Sequence, residues 1–199
     1  MTPHSGLSGN AFSSRRRKPL NRIASVASFF VSRIDTAVDK KLDELAKAGN
    51  KDAAGLAGKA AIANAKLAYE KFERTFAGGR WERLAKAGAR VQRPLWASTG
   101  TKNPKYSDVM YIDGLIGPKT VNTMPPTTFD AFRDHGKAVV TIYDGLAEAH
   151  KLFDKFKEIG VDLTAVTLEL TRAGVTSFSD SYNDLIAVIK RRRHEVAHV

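Results

Sequence analysis

Residues 25–35 read S-V-A-S-F-F-V-S-R-I-D, an apolar run of strand length that closes on a serine, an arginine and an aspartate. The run lacks the alternation of a half-exposed strand and suits one covered on both faces, as in a parallel sheet. Directly after it the period changes. Ile34, Val38, Leu42 and Leu45 are spaced as one stripe of a helix, which Gly49-Asn50 stops. A strand running straight into an amphipathic helix is the first half of a βα unit.

Downstream the same alternation returns. A helical stretch over 53–76 offers Leu56, Ala60, Ala63, Leu67 and Phe72 for burial, and Gly78-Gly79 breaks it. A short helical piece, 81–87, leads to Val91–Ser98, V-Q-R-P-L-W-A-S, which reads as a second strand. Pro94 inside it predicts an edge or bulged position. The polar loop T-G-T-K-N-P and a helical turn over 107–115 lead to a third short strand, Thr120–Met124, closed by Pro125-Pro126. From there the spacing predicts helices over 127–135, 138–158, 162–172 and 176–193, with breaks at Gly136, Gly160 and Gly174. Strands alternating with helices argue for parallel βα units. Three strands cannot close a barrel that takes eight strands and about 250 residues. The expected class is therefore α/β and helix-rich, with about three parallel strands and many helices.

Upstream, residues 1–20 are rich in Ser, Gly, Pro and Arg without a period, so a disordered basic leader is expected there, with one folded portion over 21–199. S-S-R-R-R-K-P-L ahead of an apolar stretch invites comparison with an export or transit signal. Ser25 and Ser28 interrupt that stretch, and no small-x-small cleavage site follows. The net charge is +11, yet Arg15–Lys18 and Lys190–Arg193 hold eight of the 32 basic residues. Outside them 24 bases face 21 acids, a nearly neutral body. That distribution, with no aromatics between the basic residues, argues against nucleic acid as the partner. The competing possibility, a basic helical module that clamps an anionic polymer through its two charged ends, requires steeply salt-dependent binding. No apolar run approaches the roughly 18 residues of a membrane span. The chain contains no cysteine, which rules out disulfides, thiolate metal sites and cysteine nucleophiles.

Three stretches carry more than periodicity. Ser25–Asp35 resembles the transaldolase segment in which a barrel strand ends in Ser-x-Phe-Val-x-Arg-Ile. Arg93–Pro104, R-P-L-W-A-S-T-G-T-K-N-P, resembles the branch of that family whose chains carry W-A-S-T-G-x-K. Leu115–Pro125, L-I-G-P-K-T-V-N-T-M-P, looks like its final strand region. They occur in order, separated by helices, and the resemblance runs from about residue 22 to the end as the C-terminal portion of the family's chain.

The resemblance implies part of a TIM (β/α)8 barrel and a cytoplasmic transferase of the pentose phosphate pathway. Such an enzyme moves a dihydroxyacetone unit between sugar phosphates through a Schiff base, with no cofactor and no metal. Residue by residue it implies that Ser28 lines the substrate pocket, Phe30 stands beside it, and Arg33 grips the phosphate. Lys102 falls where the family places a second cation, usually arginine. An arginine presents a planar fork to phosphate oxygens, whereas a lysine presents a point charge. The family's Schiff-base lysine lies on an earlier strand like I-K-x-P-A-T, which this sequence does not contain, and its acid–base carboxylates also belong to earlier strands. No catalytic residue is therefore assigned. Lys102, among Thr, Gly and Asn, lacks the burial that activates an amine nucleophile. The expectation is a truncated chain, marginally stable or inactive alone, that needs a complementary N-terminal half.

Overall fold

The computed structural model describes residues 19–197. A short 3-10 turn, Leu20–Arg22, leads into β1, Ser25–Phe30, and then into α1, Ser32–Lys47. A second 3-10 turn, Ala53–Leu56, precedes α2, Ala60–Thr75, and α3, Gly79–Lys86. Next come β2, Gln92–Ala97, a one-turn α4, Met110–Asp113, and β3, Val121–Asn122. The chain finishes with α5, Pro126–His135, α6, Leu146–Glu158, and α7, Leu163–Ala197. The sheet runs β1-β2-β3 and is parallel throughout. The fold is a helix-rich α/β arrangement, three consecutive strands of a barrel with their helices.

The register fixes what lies level with what. Ser28 pairs with Leu95, Phe29 with Trp96 and Phe30 with Ala97, while β3 meets β2 only at Leu95 and Trp96. Pro94 therefore lies outside the β2–β3 ladder. Its strand is central rather than the edge that its proline predicts.

The core lies on one side of this sheet. The α1 stripe is as spaced: Ile34, Val38 and Leu42 are buried and Leu45 packs against them. Trp96 is buried with its indole Nε1–H donating to Leu115 O at 3.0 Å, and Phe29 meets it edge-on at 5.7 Å. Against these pack Ala60, Ala65 and Tyr69 of α2, Phe156 of α6, and Leu163 and Val166 at the start of α7. The cover of β1 differs from expectation. Five of the six β1 residues, Val26 and Phe30 among them, are exposed, and Phe178 of α7 is set against Phe30, with ring centres 6.5 Å apart.

Three helix boundaries also differ: the stretch expected as one helix over 53–76 is a 3-10 turn, Ala53–Leu56, and a helix, Ala60–Thr75, parted at Gly58 with φ +72°. The stretch predicted as one helix over 138–158 is helical only from Leu146. The backbone N–H groups of Thr141 and Ile142 donate to Ile116 O, each at 3.0 Å, and the Lys66 ammonium donates to the carbonyls of Thr141 and Asp144. These long-range bonds hold residues 141–144 in turns, and Gly145 enters α6 with φ +67°. The break predicted at Gly174 does not occur, and α7 passes through it. A glycine inside an exposed helix costs only about 1 kcal/mol relative to alanine, which 35 residues of helix absorb. Asp162 starts α7, its Oδ1 accepting the N–H groups of Thr164 and Ala165 at 2.8 and 3.1 Å.

The expected leader, residues 1–20, with its Arg15–Lys18 cluster, falls almost entirely outside the described residues. Lys190–Arg193 stands on the exposed far end of α7. Among the described residues no helix is long and apolar enough to cross a membrane.

Candidate functional site

Ligands of parallel α/β folds sit where strands end, and here β1 and β2 end level with one another. Pairing continues one step past the strands: Val31 N donates to Ala97 O at 2.9 Å and Ser32 N to Ser98 O at 3.1 Å. Then the chains diverge. Arg33 leaves in the first turn of α1, and the loop carrying Lys102 leaves from β2. Ser98 turns that loop with φ +54°, a left-handed conformation that costs a non-glycine residue about 1–2 kcal/mol. The turn buries Thr99, whose Oγ1 lies 2.9 Å from Asn122 Oδ1 and 3.1 Å from Thr123 O. Asn122 and Thr123 are thus tied to the rim of β2.

Ser28 and Phe30, two residues apart, stand on one face of β1. Together with Arg33 they line a cavity of about 330 Å³, completed by Asn64 of α2 and by Thr171 and Phe178 of α7. The Arg33 guanidinium carbon stands 4.9 Å from the centre of the Phe30 ring, a cation–π contact that aims the side chain along the rim. Phe178 meets Phe30 with ring centres 6.5 Å apart. The walls are mainly apolar, interrupted by the Ser28 hydroxyl, the Asn64 amide, two threonines and one guanidinium. None of the lining residues is a lysine, a carboxylate or a histidine, so among the described residues the cavity holds neither an amine nucleophile nor an acid–base group.

Three of the four residues singled out from sequence therefore meet at one cavity. Lys102 does not line it. It lies exposed one strand over on the same rim. Ser32, between Phe30 and Arg33, is buried with its Oγ lacking a hydrogen-bond partner among the described residues. Asn64 and Thr171 had no signal of their own in the sequence, because they come from helices whose placement only packing decides.

Asp35 does not pair with Arg33 across the first turn of α1. It turns inward, 2% exposed, its Oδ1 accepting Ala61 N–H at 2.8 Å and its Oδ2 accepting the Tyr111 hydroxyl at 2.9 Å. Burial pushes its carboxyl up to about 6, against the lowering effect of those two donors, and the neighbouring Asp39 adds to the rise. One turn on, Asp39 accepts Gly58 N–H at 2.9 Å and the Tyr106 hydroxyl at 2.7 Å. These two carboxylates pin the helix that carries Arg33 to the start of α2 and to the segment following the Lys102 loop. They position the rim without facing the cavity. Among the described residues no group of three or more histidines, aspartates or glutamates is arranged to hold a metal ion.

The sequence matches the family described as Transaldolase/Fructose-6-phosphate aldolase over residues 10–189, so the likeness begins inside the stretch expected to be an unrelated leader. It is 45% identical over 195 residues to the transaldolase of Mycobacterium leprae (strain Br4923), covering 96% of this chain and 51% of that protein. The transaldolase of Parafrankia sp. (strain EAN1pec) is 49% identical over 176 residues, covering 88% of this chain and 47% of its own. The chain spans about half the length of the curated relatives it matches.

Proposed function

Because the chain belongs to the transaldolase/fructose-6-phosphate aldolase family, we propose that it supplies the phosphate-gripping side of a transaldolase site. There a dihydroxyacetone unit passes from sedoheptulose 7-phosphate to glyceraldehyde 3-phosphate, giving erythrose 4-phosphate and fructose 6-phosphate. The observation that carries the proposal is the convergence of Ser28, Phe30 and Arg33 on one cavity at the C-terminal rim of adjacent parallel strands. Arg33 offers the planar fork that a phosphate accepts in bidentate fashion, and Phe30 holds that fork in place. Ser28 offers a hydroxyl to the sugar. Lys102, exposed beside the cavity, adds long-range attraction for the dianion and closes on a phosphate only if its loop folds inward.

The covalent step, attack of an amine on the ketose carbonyl with loss of water, belongs to a lysine that this chain does not provide. Carbon–carbon cleavage and readdition likewise call on carboxylates from elsewhere. We assign those groups to a companion segment bearing an I-K-x-P-A-T-like strand, in a longer chain or on a separate one. It would pair with the free edge of β1, the outer strand of the described sheet. Cytoplasmic sugar phosphates are the expected substrates, and no cofactor is called for.

The test is binding and trapping. Fructose 6-phosphate titrated into the chain by calorimetry is expected to bind, and Arg33→Ala to weaken binding about ten- to a hundredfold, the worth of one or two charge-assisted hydrogen bonds. Equal binding by the variant would remove Arg33 from the site. Borohydride reduction with the same ketose is expected to leave this chain unmodified and to label the lysine of an added companion segment. An adduct on Lys102 would overturn the division of labour.

A further inference from the structure

Residues 98–109, between β2 and α4, form neither helix nor strand, and they carry Lys102 along the rim. Bonds within this loop give it shape but no attachment. Thr101 Oγ1 donates to Ser107 O at 2.8 Å, Lys105 N to Asn103 Oδ1 at 3.0 Å, and Tyr106 N to Asn103 O at 3.1 Å. The near end is fixed at β3 through the buried Thr99. The far end is fixed to α1 through Tyr106, whose hydroxyl donates to Asp39 Oδ2 at 2.7 Å. A further link from this end, Asp108 to His135 of α5, is exposed on both sides and weak in water.

The Tyr106 attachment is built from three separate pieces of chain. Asp39 uses its other oxygen, Oδ1, to accept Gly58 N–H at 2.9 Å, and the Tyr106 ring lies on Gly58 itself. A Cβ at Gly58 would stand 2.7 Å from Tyr106 Cζ, and φ there is +72°, so only glycine fits without displacing the ring. Burial first, and then the Asp39 carboxylate, push the phenol up, so the hydroxyl keeps its proton and stays the donor. Asp39 follows Arg33 by six residues on α1, about 9 Å along the helix. A charge-assisted bond to one carboxylate oxygen is directional, whereas a ring resting on glycine alone can slide. The bond therefore sets the stand-off between the Lys102 loop and the helix of Arg33. Tyr111 makes the corresponding bond to Asp35, but it lies buried in the core and anchors α4 rather than the loop.

We propose that Tyr106 is a positioning residue for the phosphate grip: held by Asp39 over Gly58, it places the Lys102 loop relative to the helix of Arg33 so that both cations can meet one phosphate. The proposal rests on the phosphate-gripping role assigned to Arg33 above and adds a residue that itself touches no substrate. Tyr106 acts through Lys102 and not through Arg33, because Ile34, Val38 and Leu42 seat α1 in the core independently of the loop.

Calorimetric binding of fructose 6-phosphate to the full chain reads this role through a double-mutant cycle. Lys102→Ala is expected to weaken binding about fivefold in the wild type and less than about twofold in Tyr106→Phe, while Arg33→Ala has the same effect in both backgrounds. Gly58→Ala displaces the ring without removing a hydrogen-bonding group, and is expected to produce the same selective loss at Lys102. Without ligand, amide exchange is expected to quicken over residues 100–105 of Tyr106→Phe and to stay unchanged in α1. A Lys102 effect undiminished in Tyr106→Phe, or absent from the wild type, overturns this proposal alone, with Arg33→Ala still weakening binding. A loss shared equally between Arg33 and Lys102 makes Tyr106 a general support and overturns it too. Wild-type chain that ignores fructose 6-phosphate, or binding indifferent to Arg33→Ala, removes the phosphate grip and this proposal together.

Discussion

Replacing Asp35 by asparagine tests whether the helix carrying Arg33 is pinned by a buried carboxylate held at a cost. In the folded chain its carboxyl titrates at about 6, against 3.8 for a free side chain, with burial as the main cause. About two pH units correspond to about 3 kcal/mol between the protonation states. Between those two values the folded protein keeps a proton that the unfolded chain has released. Stability therefore falls as pH rises from about 4 to about 6, and levels off above. Asparagine keeps the shape, accepts the Ala61 N–H through its oxygen, and can donate to Tyr111 Oη. It gives up two charge-assisted bonds and escapes the burial penalty.

The variant is expected to match the wild type within about 1 kcal/mol near pH 4, and to be at least as stable near pH 8. Urea unfolding followed by far-UV circular dichroism across that range measures the difference, and every other carboxylate cancels in it. The reasoning fails if the wild-type minus variant difference is flat with pH. It fails equally if the variant is worse by more than about 2 kcal/mol near pH 8, which would make the ionised carboxylate a net stabiliser.

Two further outcomes follow from the hydrogen bonds that set the chain path. Lys66→Met leaves the carbonyls of Thr141 and Asp144 without their ammonium donor. It is expected to cost about 2 kcal/mol in urea unfolding, with faster amide exchange confined first to residues 137–145. His135 faces Asp108 at 2.9 Å and Asp134 at 3.1 Å, and both carboxylates raise its pKa. NMR titration is expected to find it above the ordinary histidine value and to find Asp108→Asn bringing it back down. The stabilisation from this surface pair is present at low pH and fades as pH rises through the raised value.

The strands, the parallel class and the rim residues were legible because each rests on short-range pattern. The run Ser25–Phe30 gives a strand, Ile34-Val38-Leu42 a helix stripe, and the three quoted segments a family. Pro94 misled because a missing N–H matters only where a neighbour needs it, and β3 is too short to reach it. The 138–145 stretch misled because Lys66 and Ile116, far away in sequence, compete for its backbone. The inward turn of Asp35 had no local sign, since its partners Ala61 and Tyr111 stand 26 and 76 residues away.

By itself the sequence determined which segments form strands, which helices follow them, and which side chains stand at the strand ends, all properties of neighbours within a turn or a pleat. Only the tertiary structure decided that Ser28, Phe30 and Arg33 share a cavity with Asn64 and Thr171 while Lys102 stands outside it. It also decided that β1 stands at the edge of the sheet with its side chains largely exposed and that α7 continues unbroken through Gly174. Those outcomes depend on register and on the packing of elements remote in sequence, and the local pattern of residues carries no information about either.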